Sequence, residues 1–159
     1  MKQLMVNPIG EVNKLQNSWS IKIFESYKDG LLHVDSFSHA HVVWWGHLTD
    51  EPYNRQKTIV ENLFKNGPLE TGVFATRTPA RPNPILISSI KIEKLDKEKG
   101  IIYTPFIDAD EGTPVLDIKP YFPMERIKYC QVPQWCRHWP QWQEDTTGFN
   151  WQKEIQIAR

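Results

Sequence analysis

Pro79, Pro82 and Pro84 crowd the stretch GVFATRTPARPNP, residues 72–84, and no helix can run through it. Each proline fixes its own φ and pushes the residue before it towards extended backbone. The stretch therefore reads as a stiff, extended loop leaving an apolar run at Val73, Phe74 and Ala75. That rigid backbone holds Arg77 and Arg81. Loops fixed on a scaffold carry function unusually often, so the pair suggests an anionic or polar ligand; the alternative is a proline-rich surface turn with solvated arginines. Twelve Pro and seven Trp suit a loop-rich, aromatic-cored β protein better than a helical bundle.

Hydrophobic periodicity supplies the rest of the architecture. SWSIKIF alternates Trp19, Ile21 and Ile23 with polar residues, the period of a half-buried strand. SFSHAHVVWWGHL reads as a second strand, buried on both faces in its middle. One helix is predicted over residues 50–68, with Asp50 as N-cap, Pro52 in the first turn and an apolar stripe at Ile59, Val60, Leu63 and Phe64. Asn66, Gly67 and Pro68 would stop it. ISSIKIEKL and IIYTPFI, joined by DKEKG, read as a hairpin, and GTPVLDIKPYFP as a short strand closed by prolines. The expected fold is mainly β, an antiparallel β-barrel or strongly curved sheet with one helix. Residues 1–121 would form the barrel and residues 122–159 an irregular tail. That tail carries Trp135, Trp139, Trp142 and Trp151, too apolar a set for water, and is expected to pack on the barrel or on a partner.

At 159 residues the chain fits one domain able to bury its own core. Nineteen Lys and Arg balance nineteen Asp and Glu, which argues against a global electrostatic grip on nucleic acid while leaving room for a local patch. Cys130 and Cys136 have neither zinc nor redox spacing. MKQLMVNPIG shows no signal peptide, and no apolar run is long enough to span a membrane. The expectation is a cytoplasmic protein with reduced thiols.

Two further clusters carry chemistry. His39, His41 and His47 share the parity of one strand and would face one way in a regular strand. No carboxylate or cysteine pattern completes a ligand set, so no metal is expected. His47, at the strand end beside the arginine loop, is a candidate for a pocket rim. Asp108, Asp110, Glu111 and Asp117 crowd a second proline-stiffened loop, marked by Pro114 and Pro120. A cationic and an anionic loop together could hold a zwitterion carrying an amine and a carboxylate.

GVFATRTPARPNPI followed by GTPVLDIKPY resembles the TsaA-like, or TrmO, family of S-adenosylmethionine-dependent tRNA methyltransferases. NPIG near the N-terminus and FSHAHVVWWGH add to the likeness. The resemblance implies a single-sheet β-barrel, a homodimer with cofactor sites near its interface, and methylation of N6 of threonylcarbamoyladenosine in tRNA. It places S-adenosyl-L-methionine contacts on His47, Leu48, Arg77, Ile87, Phe106, Ile107, Asp108 and Ala109. Arg81 is then the candidate for an RNA phosphate, and Asp117 or His47 for the general base.

The chain departs from the family pattern in three places. Leu86 replaces a glycine, Glu111 stands in the DEGT turn where the family has Asp, and EVNKLQNSWS lacks the Pro-Arg-Gln loop that helps hold the cofactor. The cofactor site is thus incomplete, rebuilt from elsewhere, or lost. Two alternatives stand beside tRNA methylation: a methyltransferase acting on a small molecule or another RNA position, and a non-catalytic dimeric binding protein on the same barrel.

Overall fold

Alternation fixes the strands, and the partner of each strand decides which face is buried. In the computed structural model, which describes residues 4–156, β1 is Gly10–Lys14, β2 Trp19–Ile23, β3 His39–Trp45, β4 Ile59–Glu61 and β5 Glu70–Gly72. Then come β6 Ile85–Lys91, β7 Lys94–Asp96, β8 Ile101–Thr104 and β9 Pro114–Pro120. The first three residues of the chain and residues 157–159, the end of the tail, lie outside the described range. Seven strands form one antiparallel sheet in the order β6-β3-β9-β1-β2-β8-β7, and β4 with β5 makes a separate hairpin arm.

The core lies on one face of the curled sheet. Val12, Ile21, Ala40, Val42, Ile102 and Val115 are each fully buried there. β3 alternates strictly, with Ala40, Val42 and Trp44 inward and its other side chains half-buried, so it is not sealed on both faces. β6 and β7 occupy opposite edges of the sheet, yet only Ile92 and Glu93 separate them in sequence. The Ile92 N–H donates to the Ser38 carbonyl at 2.8 Å and the Glu93 N–H to the Tyr103 carbonyl at 2.9 Å. One bent run of chain therefore serves both edges. No ladder joins β6 to β7 among the described residues, so the architecture is a curled seven-stranded sheet rather than a demonstrated closed barrel.

The helix expected over residues 50–68 does not form. Asp50 does not cap a helix. It accepts hydrogen bonds from Arg55 Nη2 at 2.9 Å and Trp45 Nε1 at 2.8 Å, and the Arg55 bond holds its carboxyl below the usual range. Beyond it, the β-branched run Thr58, Ile59, Val60 favours extended backbone, and Ile59–Glu61 pairs with Glu70–Gly72. Asn62 turns the chain at φ 50, a left-handed conformation that asparagine tolerates. The main helical segment is instead the 3-10 helix Glu25–Leu31, which buries Leu31 under the sheet.

The Trp-rich tail packs mainly on the arm. Trp135 stacks on Phe64 with ring centroids 4.3 Å apart, Trp139 lies 6.0 Å from Phe64, and Trp151 meets Trp139 at 5.2 Å. Backbone bonds fasten the pair: Lys65 N–H to the Glu154 carbonyl and Gln156 N–H to the Leu63 carbonyl, both at 2.8 Å. Trp135, Trp139 and Trp151 are half-buried, while Trp142 is exposed.

Glu154 gives this docking a pH dependence. It meets His138 at 3.0 Å and accepts from Trp139 Nε1 at 3.2 Å. The His138 hydrogen bond holds the Glu154 carboxyl below its ordinary value of 4.5, against the opposing effect of burial. A carboxyl depressed on folding contributes stability that is complete above the ordinary value and lost as pH falls through the depressed one. Tryptophan fluorescence of the wild type is therefore expected to report tail release below pH 4.5. In Glu154→Gln that acid transition should disappear.

Candidate functional site

Two proline-stiffened loops reach the same end of the sheet. The first leaves β5 through a 3-10 turn at Val73–Ala75, closed by the Thr76 hydroxyl donating to the Val73 carbonyl at 2.8 Å. Pro79, Pro82 and Pro84 then carry it to β6. Gly46, just past β3, lets this loop come close: its N–H donates to the Pro84 carbonyl at 2.7 Å. A Cβ there would lie 2.9 Å from Leu86 Cδ1 and 3.1 Å from Pro79 Cβ. The second loop joins β8 to β9. It buries Ile107 and Ala109, exposes Asp108 and Asp110, and turns at Gly112 with φ +75.

A cleft of about 470 Å³ opens between the loops. Trp44, Leu86 and Ile107 are its buried apolar lining. The arginine loop and β6 contribute Arg77, Arg81, Ile85 and Ile87; the other loop contributes Phe106, Asp108, Ala109 and Asp110. Arg77 Nη2 donates to the Ile87 carbonyl at 3.4 Å, which draws its guanidinium along the open edge of β6. Lys14 and Trp19, from the β1–β2 hairpin, complete the wall. Lys14, Arg77, Arg81, Asp108 and Asp110 form no ion pair among the described residues. Separated charges of both signs beside apolar and aromatic surface suit a zwitterionic ligand that carries a ring.

Residues 6–125 match the family model described as the tRNA-methyltransferase O N-terminal domain. The chain belongs to this family. A Methanocaldococcus jannaschii protein named as a probable S-adenosyl-L-methionine-binding protein is 37% identical over 115 residues, covering 72% of this chain and 89% of that one. Human tRNA (adenine(37)-N6)-methyltransferase is 41% identical over 100 residues, which is 63% of this chain and 22% of the human one. A Pyrococcus abyssi protein, also named as a probable S-adenosyl-L-methionine-binding protein, is 34% identical over 110 residues, 65% of this chain. The match spans about half, 52%, of the length of that archaeal relative. The crystal structure of TrmO from Pseudomonas aeruginosa superposes with a TM-score of 0.63 at 23% identity, covering 82% of this chain and 61% of that one, and shares the fold.

Against the family pattern, Arg77, Ile87, Phe106, Ile107, Asp108 and Ala109 gather in the cleft, and so does Arg81. His47 and Leu48 do not line it. His47 sits at the seam of the two loops, half-buried, its Nδ1 3.4 Å from the Thr113 hydroxyl. Leu48 is 65% exposed. The strand ends at Trp45 and turns at Gly46, so His47 leaves the face that His39 and His41 share.

Asp117 is not brought to the cleft. It stands opposite Val43, on the sheet face turned from the core, with its carboxylate 2.7 Å from Lys119 Nζ. That contact raises the Lys119 pKa and occupies the carboxylate. On the same outer face His41 bridges the Ser89 hydroxyl and Glu125, each at 2.9 Å. Among the described residues no three His, Cys, Asp or Glu side chains converge on a metal position.

The sequence reading missed Lys14 and Trp19. EVNKLQNSWS, which lacks the Pro-Arg-Gln motif, folds as the end of the β1–β2 hairpin and delivers both side chains to the cleft. Their signal was parity: Lys14 is two residues beyond Val12, and Trp19 two before Ile21. No described residue of the tail lines the cleft.

Proposed function

We propose that this chain is an S-adenosylmethionine-dependent methyltransferase acting on N6 of an adenosine in tRNA. One observation carries the reading: six positions from distant segments, Arg77, Ile87, Phe106, Ile107, Asp108 and Ala109, converge on one cleft. The printed names of the relatives, a tRNA methyltransferase and S-adenosyl-L-methionine-binding proteins, point the same way. The finer acceptor we assign is threonylcarbamoyladenosine beside the anticodon.

The donor set fits the cofactor. Arg77 suits its carboxylate, Asp108 its ammonium group, and the Phe106 ring its adenine, with Ile87 adding apolar surface. When bound, the cofactor supplies a methyl group already activated as a sulfonium, so the protein's part is mainly positioning an in-line attack. The acceptor nitrogen loses a proton as it gains the methyl. Neither candidate base lines the cleft. His47 stands at the seam of the two loops while Lys119 occupies the Asp117 carboxylate on the outer face, so we assign the proton to His47. On this reading the described residues up to 121 close as a barrel and hold the site, while the described part of the tail beyond them braces the arm.

Leu48, Phe74 and Phe106 are 65%, 80% and 63% exposed. Phe106 lines the cleft, and exposed apolar side chains such as these suit contact with a second copy, in keeping with a homodimer with its sites near the interface. A tRNA substrate fits a cytoplasmic home. Among the described residues no helix is long and apolar enough to cross a membrane.

Calorimetric titration with S-adenosylmethionine tests the reading, followed by mass spectrometry of tRNA nucleosides from a deletion strain. No cofactor binding sinks it. Cofactor binding with unchanged tRNA nucleosides moves the methyl acceptor to a small molecule or another RNA. Arg81→Ala is expected to spare cofactor affinity but weaken tRNA binding, and to lower the salt slope by about one, as loss of one phosphate contact requires.

A further inference from the structure

The alternation that buries Val12 and Ile21 continues past the core. In the β1–β2 hairpin, Val12 pairs with Ile21 and Lys14 with Trp19, so all four side chains share the inward face. Val12 and Ile21 are sealed in the core; Lys14 and Trp19 come one step later, where the core gives way to the cleft. Trp19 also pairs with Thr104 on β8, the strand that leads into Phe106. Leu15 N–H donates to the Ser18 carbonyl at 2.9 Å and closes the turn. The Trp19 backbone is thus held on both sides by ladders, and its half-buried side chain packs against the core. Lys14 Nζ lies 5.5 Å from its ring centroid.

Charge decides what such a pair is for. A cofactor with a single carboxylate engages one cation, for which Arg77 suffices, and its sulfonium adds positive charge that repels further cations. Arg81 Nη1 donates to the Thr76 carbonyl at 3.4 Å within its own loop, and Lys14 is then surplus. A surplus cation beside a fixed aromatic face matches a nucleotide, which presents a stacking base and an anionic phosphate together.

We propose that Lys14 and Trp19 form the subsite for the acceptor nucleotide, with the indole stacking on an unpaired base and the ammonium meeting the adjacent phosphate. The proposal rests on the methyltransferase reading for the assignment of Arg77 to the cofactor. It names single-stranded or looped RNA as the ligand class of this end of the cleft. A bound phosphate draws the Lys14 ammonium off the ring and leaves the indole face to the base.

The test uses the full chain and an end-labelled synthetic RNA hairpin with an unpaired adenosine in its loop, read by fluorescence anisotropy over a salt series. Calorimetry with S-adenosylmethionine runs in parallel. Trp19→Leu keeps apolar packing without a π face and should lower RNA affinity roughly tenfold or more, the range for one lost base stack. Trp19→Phe should retain most of the binding. Lys14→Gln should reduce the salt slope by about one. Trp19→Leu and Lys14→Gln should change RNA binding by more than they change cofactor affinity.

Wild-type RNA affinity in Trp19→Leu overturns the proposal, as does a loss of cofactor affinity with RNA binding intact. If Trp19→Leu does not fold, Lys14→Gln decides, and an unaltered salt slope overturns it. A wild type that binds cofactor but not the hairpin sinks this subsite and leaves the methyltransferase reading standing. Trp19-dependent RNA binding without cofactor binding does the reverse.

Discussion

Arg77→Ala is expected to weaken S-adenosylmethionine binding by roughly 1.5–3 kcal/mol, the cost of losing a hydrogen bond to a charged group. Calorimetry would read that as about a tenfold to 150-fold rise in Kd. The thermal midpoint should stay where it is. Arg77 is exposed, and among the described residues its guanidinium makes one hydrogen bond, to the Ile87 carbonyl, long at 3.4 Å. The loop's shape comes from its prolines, from the Thr76 hydroxyl bond and from the contact with Gly46, none of which involves the guanidinium. Removing Arg77 should therefore leave the cleft in place without its carboxylate partner. An unchanged Kd with a lowered midpoint would make Arg77 a structural residue and remove it from the site.

The separation of shape from chemistry in that loop also explains what was legible beforehand. Proline fixes backbone locally, so both loops could be read from sequence as rigid, and their charges as candidates for a ligand. β2, β3, β6, β8 and β9 were legible because alternation with one buried face is a local pattern. β1 was not, since Gly10–Lys14 offers Val12 as its one strongly apolar residue, and its strand character comes from the ladders on either side. The helix failed for a related reason. Ile59, Val60, Leu63 and Phe64 have helical spacing, but the same residues serve a short hairpin and a turn once Phe64 has an aromatic partner. That partner is Trp135, far along the chain, and no local window contains it. His47 was grouped with His39 and His41 by strand parity, which Gly46 interrupts, and Asp117 was grouped with the acidic loop, whereas it stands within β9 opposite Val43. Parity put Lys14 and Trp19 on the inward face, but it is the hairpin register that sets them side by side at the cleft.

Phe64→Ala is expected to release the tail and the β4–β5 arm together while sparing the main sheet. Phe64 is 9% exposed, between Trp135 at 4.3 Å and Trp139 at 6.0 Å. Truncating a buried phenylalanine to alanine costs about 3–5 kcal/mol. Here the neighbours are half-buried tryptophans on an arm of three-residue strands, so the loss should appear as local opening rather than global unfolding. Hydrogen exchange would see it at the Lys65 and Gln156 amides, which bond across the arm–tail seam. The amides of Val12, Ile21 and Ile102, in the core of the large sheet, should keep their protection. Protection of Lys65 and Gln156 that survived the substitution would show that backbone pairing alone holds the tail. The release should also reach the cleft. Val73 N–H donates to the Thr58 carbonyl at 2.9 Å, so the arm anchors the start of the loop that carries Arg77. A loosened arm lets that loop sample more backbone states, and ordering them again opposes binding. Cofactor affinity in Phe64→Ala should therefore fall, although Phe64 lies outside the cleft, and truncation after Ile127 should reproduce both effects by removing the tryptophans instead.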